Sequence, residues 1–480
     1  MQLPKPLLIV GIIIALIIVG IVGVFVLQPP SDLIQNASMS VDVITPNADG
    51  DNDIAVLSYE ISRNSKVTIT FQNQETSEVF YFRSGNERSE GDYSVQFSGV
   101  VDGYVNSGET FDGAVDRRLM PNGTYEWTLT AVDDDGETQT ETGALRIENA
   151  DSQLPLIPAF ELSSELFTPN QDGVRDRIRV NVYLAKPADL QVYLENQDGV
   201  RIYLAERLLG REEGDEGNHE FDFDGGVDDG YEPPADGTYD LIAVAQDAEG
   251  QRVIRQRSVT IENGGLPQME IAAQASGGTV CFDVIKWDEA YFNDLTTDGA
   301  KIPQPEGSCS TLETLTMEQG DVLTFWLTVK NYGRTPVRTH GPFPGTVYEF
   351  DQATNSLGYL ERDGAWRIGI SCQTSTSDFQ WRWAIADPTE LDVVEDPELD
   401  DTFYYLADEK QAVVWGGIRM TQIFDARNPQ NCWAGLIHEG VNVDTFQTNV
   451  GVRQIEILPV EGFVDDDPET SVWNPTPFGG

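Results

Sequence analysis

The chain has 480 residues, 80 of them Asp or Glu against 30 Lys or Arg, for a formal net charge of −50. So acidic a surface repels phosphate backbones, which excludes nucleic acid as a partner and makes cations the natural counterparts. Lysine is scarce, seven against 23 arginines, which suits a high-salt exterior, calcium loading, or simply a soluble and self-repelling secreted surface.

In chain order the first element is an apolar run from Leu7 to Leu27, 21 residues without a charge. As a helix it is about 31 Å long at roughly 1.5 Å per residue, enough to span a bilayer. A cleaved secretion signal has a shorter core and a small-x-small cleavage site, which Val24-Phe25-Val26-Leu27-Gln28-Pro29 does not offer. A signal anchor over residues 1–30 is the expectation. Lys5 precedes the run and Asp32 with an acidic body follows it, so the short end is expected in the cytoplasm and the rest outside, at the cell surface.

After this leader one cassette occurs twice. Thr45-Pro46-Asn47-Ala48-Asp49-Gly50-Asp51-Asn52-Asp53 returns as Thr168-Pro169-Asn170-Gln171-Asp172-Gly173-Val174-Arg175-Asp176, 123 residues later. Each copy closes alike: Phe111-Asp112-Gly113-Ala114-Val115-Asp116 with Gly123-Thr124-Tyr125 answers to Phe223-Asp224-Gly225-Gly226-Val227-Asp228 with Gly237-Thr238-Tyr239. A domain-sized period means two tandem copies of one fold, residues 31–150 and 151–265, and not a solenoid. Between the motifs lie strand patterns at 54–59, 66–71, 178–184 and 189–194. Val67, Ile69 and Phe71 alternate with polar residues as a half-buried strand requires. Turn residues between them are spaced as in a sandwich, and no amphipathic helix is evident beyond the leader.

These residues resemble the Ig-like domain named for the flagellar hook-capping protein FlgD, which recurs in bacterial surface and secreted proteins. That family opens with a Pro-Asn-x-Asp-Gly-x-x-Asp turn and closes with Trp-Asp-Gly, Asp-Asn-Gly and Asp-Gly-Thr-Tyr. The second copy follows it closely through Asp228-Asp229-Gly230 and Asp236-Gly237-Thr238-Tyr239, whereas Pro121-Asn122-Gly123-Thr124-Tyr125 departs from it in the first. The family's tryptophan is Phe111 and Phe223 here. The resemblance implies a module, not an activity.

The two opening turns also admit a metal reading. Asn47, Asp49 and Asp53, with Asp51 as a fourth, and Asn170, Asp172 and Asp176 present oxygen at spacings from which calcium could be held, with Asp112, Asp116, Asp224 and Asp228 as weaker candidates. Against it, Gly50 and Gly173 stand at the fourth loop position and no bidentate Glu follows. The same composition makes Asx-turns, in which Asn and Asp side chains cap backbone amides around a positive-φ glycine.

From Gly265 the composition changes. All four cysteines, Cys281, Cys309, Cys372 and Cys432, and seven of the nine tryptophans lie between there and residue 433. Two disulfides are expected in an exported domain over 266–460, and of the three possible connectivities the one between sequence neighbours, Cys281–Cys309 and Cys372–Cys432, is favoured. No C-x-x-C or H-x-x-x-H spacing supports zinc. Residues 322–333 read as a strand running into a tight turn and 455–458 as a last strand. Val329-Lys330-Asn331-Tyr332-Gly333 with Thr335-Pro336-Val337 is similar to a strand of the CARDB-like adhesion sandwiches.

Trp366, Trp381, Trp383, Trp415 and Trp433 are either an exposed sugar-stacking face or core, the second being the commoner fate of tryptophan. For catalysis the sequence offers Cys432 with His438, or His340 with Glu349, neither in a recognisable motif. Residues 461–480, with Asp465-Asp466-Asp467-Pro468, read as an acidic tail in which Trp473 and Phe478 are docking candidates. The expectation as a whole is an all-β, membrane-anchored surface protein: two Ig-like stalk modules present a disulfide-bonded β-sandwich that binds an external protein or glycan and is not an enzyme. Its rivals are a dedicated carbohydrate binder and an envelope hydrolase.

Overall fold

The computed structural model describes residues 32–208, 210, 212–274, 277–306, 313–441 and 447–465. The Leu7–Leu27 run, Cys309, Trp473 and Phe478 lie outside the described residues. Among those described, strands joined by loops and short 3₁₀ turns make up the whole fold, and no helix is long and apolar enough to cross a membrane.

Repeat 1 is a sandwich of a three-stranded sheet (Ile34–Met39, Ala55–Ile61, Gly91–Phe97) and a five-stranded one (Val43–Ile44, Thr138–Ile147, Gly123–Asp133, Ser65–Asn73, Val79–Arg88). The alternation of Val67, Ile69 and Phe71 puts all three inside, where Phe71 stacks on Phe97 at 4.1 Å. Repeat 2 follows the same plan, with Ala159–Leu162, Ile178–Leu184 and Gly217–Phe223 facing a sheet that contains Asp189–Glu195, Gly237–Gln246 and Arg252–Ile261. The Gly-Thr-Tyr signal has one use in both copies. Tyr125 donates its hydroxyl to the Pro121 carbonyl (2.6 Å) and Tyr239 to that of Ala235 (2.8 Å), each four residues back, which pins a buried ring at the corner of the sandwich.

The third domain packs a five-stranded sheet, with Val322–Asn331 and Gln411–Arg419 at its centre, against an eight-stranded one built on Gln430–His438 and Trp366–Cys372. Their shared core contains Phe325, Tyr348, Ile368, Ile370, Trp381 and Trp383. Cys372 and Cys432 sit directly opposite on antiparallel neighbours, with Cα atoms 4.0 Å apart, and form the expected disulfide. Cys281 is also disulfide-bonded.

The repeats are not separate beads. A hairpin of repeat 1, Val100–Asp102 with Ala114–Leu119, leaves both sheets of its own sandwich and pairs along Arg252–Ile261 of repeat 2. The sheet therefore crosses the expected boundary at 150.

Candidate functional site

The two copies of the opening turn are built alike. In repeat 1, Asp53 accepts the amides of Asn47 (3.1 Å) and Ala48 (3.1 Å) on one oxygen and that of Gly50 (2.7 Å) on the other. Asn47 caps the Asp49 amide (3.1 Å) and Asp49 caps that of Asp51 (2.8 Å), which holds the Asp49 carboxyl below its usual range. Asp51 accepts from the Asn52 side chain (3.3 Å). In repeat 2, Asp176 gathers the amides of Asn170, Asp172 and Gly173, Asn170 caps Asp172, and Asp172 caps Val174 (2.7 Å).

This is the Asx-turn arrangement: the oxygens a calcium ion would take are aimed at N–H donors. Among the described residues no group of three or more His, Cys, Asp or Glu is placed to hold a metal. The weaker candidates are committed too. Asp112 pairs with Arg255, Asp116 with Arg252 (2.7 Å), Asp228 with Arg177, and Asp224 caps the amides of Gly226 and Asp228.

What distinguishes the copies is what covers them. The repeat 1 turn is open, and a Cβ on Gly50 would meet nothing within 4 Å. The repeat 2 turn is the seat of the third domain. Tyr405 donates to Asp172 (2.9 Å), His438 Nε2 lies 2.8 Å from the Gln171 carbonyl, Thr335 donates to the Asn263 carbonyl (2.8 Å), and Arg175 pairs with Asp396 and with Glu398 (2.8 Å). Approach is so close that a Cβ on Gly173 would lie 2.0 Å from the Asp363 carbonyl oxygen. Burial raises the Asp172 carboxyl, and burial together with the Asp172 charge pushes Asp176 up to about 7. Burial pushes His438 down to about 4 and also lowers Arg338.

The joint between the repeats is of another kind. Besides the shared strands it has Gln251, fully buried, which donates to the Asp151 (3.1 Å) and Gln153 (2.9 Å) carbonyls and accepts the Leu119 amide (3.3 Å). Lys186 lies beside it, 2.9 Å from Asp151, 3.0 Å from Asp247 and 2.9 Å from Glu249. Burial opposes its charge, but the three carboxylates outweigh burial and hold Lys186 above its ordinary pKa. The linker residues Asp151 and Gln153 are thereby fastened to repeat 2.

The structure corrects the tryptophan face at three of its positions. Trp366, Trp381 and Trp383 are buried. Trp383 donates to the Thr346 carbonyl (3.0 Å) and Trp366 stacks on His438 at 4.2 Å. Trp415 is half-buried and bonded to the Ile302 carbonyl (3.0 Å), and Trp433 is half-buried. An indole inside a sandwich cannot meet a sugar ring, and the sequence signal for aromatic content does not say which way a ring faces. Of the residues considered for catalysis, Cys432 is spent in the disulfide, Glu349 pairs with Arg419 (3.4 Å), and His340 meets the Tyr359 ring at 5.4 Å while burial takes it down to about 4.

No protein-family model and no curated protein matches the chain. Among solved structures it is similar to a Ca²⁺-stabilized adhesin with which an Antarctic bacterium binds ice, at 12% identity over 89% of this chain and 74% of that one, TM-score 0.22. It is similar also to the native conformation of E. coli alpha-2-macroglobulin, at 10% identity over 90% of this chain and 23% of that one, TM-score 0.16. A third is a tetra-tandem repeat in the extending region of a large adhesion protein, at 11% identity over 87% and 97%, TM-score 0.15. At such scores the likeness carries no argument about arrangement or function. What stands is the all-β architecture itself.

Proposed function

We propose that this protein is a stiff, non-catalytic display rod of a bacterial cell surface, anchored through Leu7–Leu27, in which the two Ig-like repeats hold the third domain away from the bilayer as its adhesive end. The observation that carries this reading is the pair of joints. One sheet runs from repeat 2 into a hairpin of repeat 1, and the third domain is seated on the repeat 2 turn through Tyr405, His438 and Arg175. A spacer that must keep its length needs joints that bury and bond, since a bare flexible linker coils on itself. The resemblance of the repeats to the FlgD-like Ig domain of surface proteins supports the same role. Disulfide-bonded Cys281, Cys372 and Cys432 support an oxidising exterior.

The test is topological. In whole cells carrying the full chain, a membrane-impermeant amine reagent or added protease should reach the repeats, and the protein should stay in the membrane pellet after alkaline washing. Protection in intact cells, or release by the wash, would overturn the anchored reading.

A further inference from the structure

The third domain buries a network of charged side chains. Arg367 is fully buried, Glu439 nearly so, and Arg382 closes the chain: Glu439 accepts from Arg367 (3.2 Å) and, on both oxygens, from Arg382 (2.8 Å each). Buried ion pairs tend to cost as much as they return, so such a network is best understood by what it positions. Here it positions two loops. Arg367 donates to the Leu360 carbonyl (2.8 Å), and Arg382 donates to that of Phe379 (3.0 Å) and to Glu361 (3.0 Å). Between these pinned segments lies a cavity of about 460 Å³, lined among others by Asn355, Tyr359, Glu361, Ser377, Phe379 and Arg382. Its size is that of a small-molecule site.

The cavity has two further built features. Phe379 is held at φ +47°, a conformation rare and costly for a bulky residue, and strain of this kind gathers at functional sites. Its ring is accommodated by Gly369 and Gly435, which face each other on adjacent strands; a Cβ on either would come within 2.7 Å or 2.3 Å of Phe379. Tyr359 lies against Gly341 and the His340 ring. Two rings are thus fixed in a recess beside the polar groups of Asn355, Ser377, Glu361 and Arg382.

Charge selects the class of ligand. The charged residues that line the recess are Glu361 and Arg382, paired at 3.0 Å, so its lining is neutral within a chain of net charge −50. Its lining carries no unpaired charge, and its aromatic walls and mixed donors and acceptors match a molecule with apolar C–H faces and many hydroxyls. We infer that the cavity between the 353–361 and 377–382 loops of the third domain is a binding site for a neutral sugar. This rests on, and deepens, the reading of that domain as the adhesive end, but it is tested on the purified full-length chain in detergent, so that a failed anchoring experiment leaves it standing.

The experiment is saturation-transfer-difference NMR with N-acetylglucosamine, galactose, mannose and cellobiose at millimolar concentration, and triglycine as a neutral peptide control. At least one sugar should receive saturation and triglycine none. Tyr359→Ala should abolish the transfer. Ser377→Trp, at an exposed position outside the Arg–Glu network, should abolish it by filling the recess without changing the melting temperature, and it keeps the test valid should Tyr359→Ala fail to fold. Asn355→Ala, which removes one hydrogen-bonding group, should weaken binding by roughly tenfold. Absence of transfer to every sugar, transfer that survives Ser377→Trp, or transfer to triglycine instead, would overturn the proposal.

Discussion

Tyr405 of the third domain donates its hydroxyl to Asp172 of repeat 2 across 2.9 Å, joining residues 233 positions apart. Asp172 is buried, and burial raises its carboxyl, so this hydroxyl is one of the few groups that replace the water it has lost. Tyr405→Phe should destabilise the joint by about 1–3 kcal/mol, the cost of an under-bonded buried acceptor. Denaturant unfolding followed by third-domain tryptophan fluorescence would report it, with repeat 1 unaffected.

The glycines of the twin turns provide an internally controlled pair. Gly50 has φ +88° and open space around it, whereas Gly173 has φ +80° and the Asp363 carbonyl in the place of a Cβ. Gly50→Ala should therefore cost only the left-handed backbone penalty, about 1–2 kcal/mol. Gly173→Ala carries the same penalty and also pushes the third domain off its seat. Small-angle scattering should show no change in maximum dimension or flexibility for the first variant and a hinged particle for the second.

Lys186 neutralises Asp247 and Glu249, whose side chains are almost wholly buried. Lys186→Met leaves both without that cation and should destabilise repeat 2 by on the order of 3–5 kcal/mol, read from chemical denaturation. Gln251→Ala, by freeing the carbonyls of Asp151 and Gln153 and the amide of Leu119, should raise hydrogen exchange along the linker without unfolding either sandwich.

The seat of the third domain carries opposed titrations, with the raised acids Asp172 and Asp176 on one side and the lowered His438 on the other. Asp176 is raised from 3.8 to about 7, so its contribution is complete below pH 3.8 and is lost as pH rises through about 7. His438 is lowered from 6.5 to about 4, so its contribution is complete above pH 6.5 and is lost as pH falls through about 4. Between these limits His438 offsets Asp176, while the raised Asp172 carboxyl adds to the side of Asp176. Arg338 and Tyr405 face the same acids from the third domain. His438→Gln retains an amide donor for the Gln171 carbonyl while removing one titration. Its melting temperature should fall more steeply between about pH 4 and pH 7 than that of the unmodified protein, in which His438 offsets part of the loss.

Much of the fold is legible in the residues, because local physics writes it there. Alternation at Val67, Ile69 and Phe71 declares a half-buried strand, the doubled cassette declares two copies, and a positive-φ glycine amid Asn and Asp declares the turn. The Cys372–Cys432 pair is one of three connectivities that four sulfurs allow, favoured in the sequence only as neighbours. What local pattern cannot declare is the partner of an edge. Ala114–Leu119 alternates no differently for pairing with repeat 2 than it would for pairing with its own sheet, and Gly173 has the same neighbours in sequence whether a domain covers it or not. The tryptophans mislead for a related reason: composition counts rings but not their direction. The recess at Tyr359 and Phe379 depends on glycines 369 and 435 meeting across two strands, a relation visible only once the sheet exists.

The claim on which the account turns is that the modules form one stiff body. Spin labels at Thr142 of repeat 1 and Asp408 of the third domain, both exposed, allow this to be measured by double electron–electron resonance on the full chain. A single narrow distance distribution that broadens in Gly173→Ala is the expected result. A broad distribution in the unsubstituted protein, indifferent to Gly173→Ala, would contradict it.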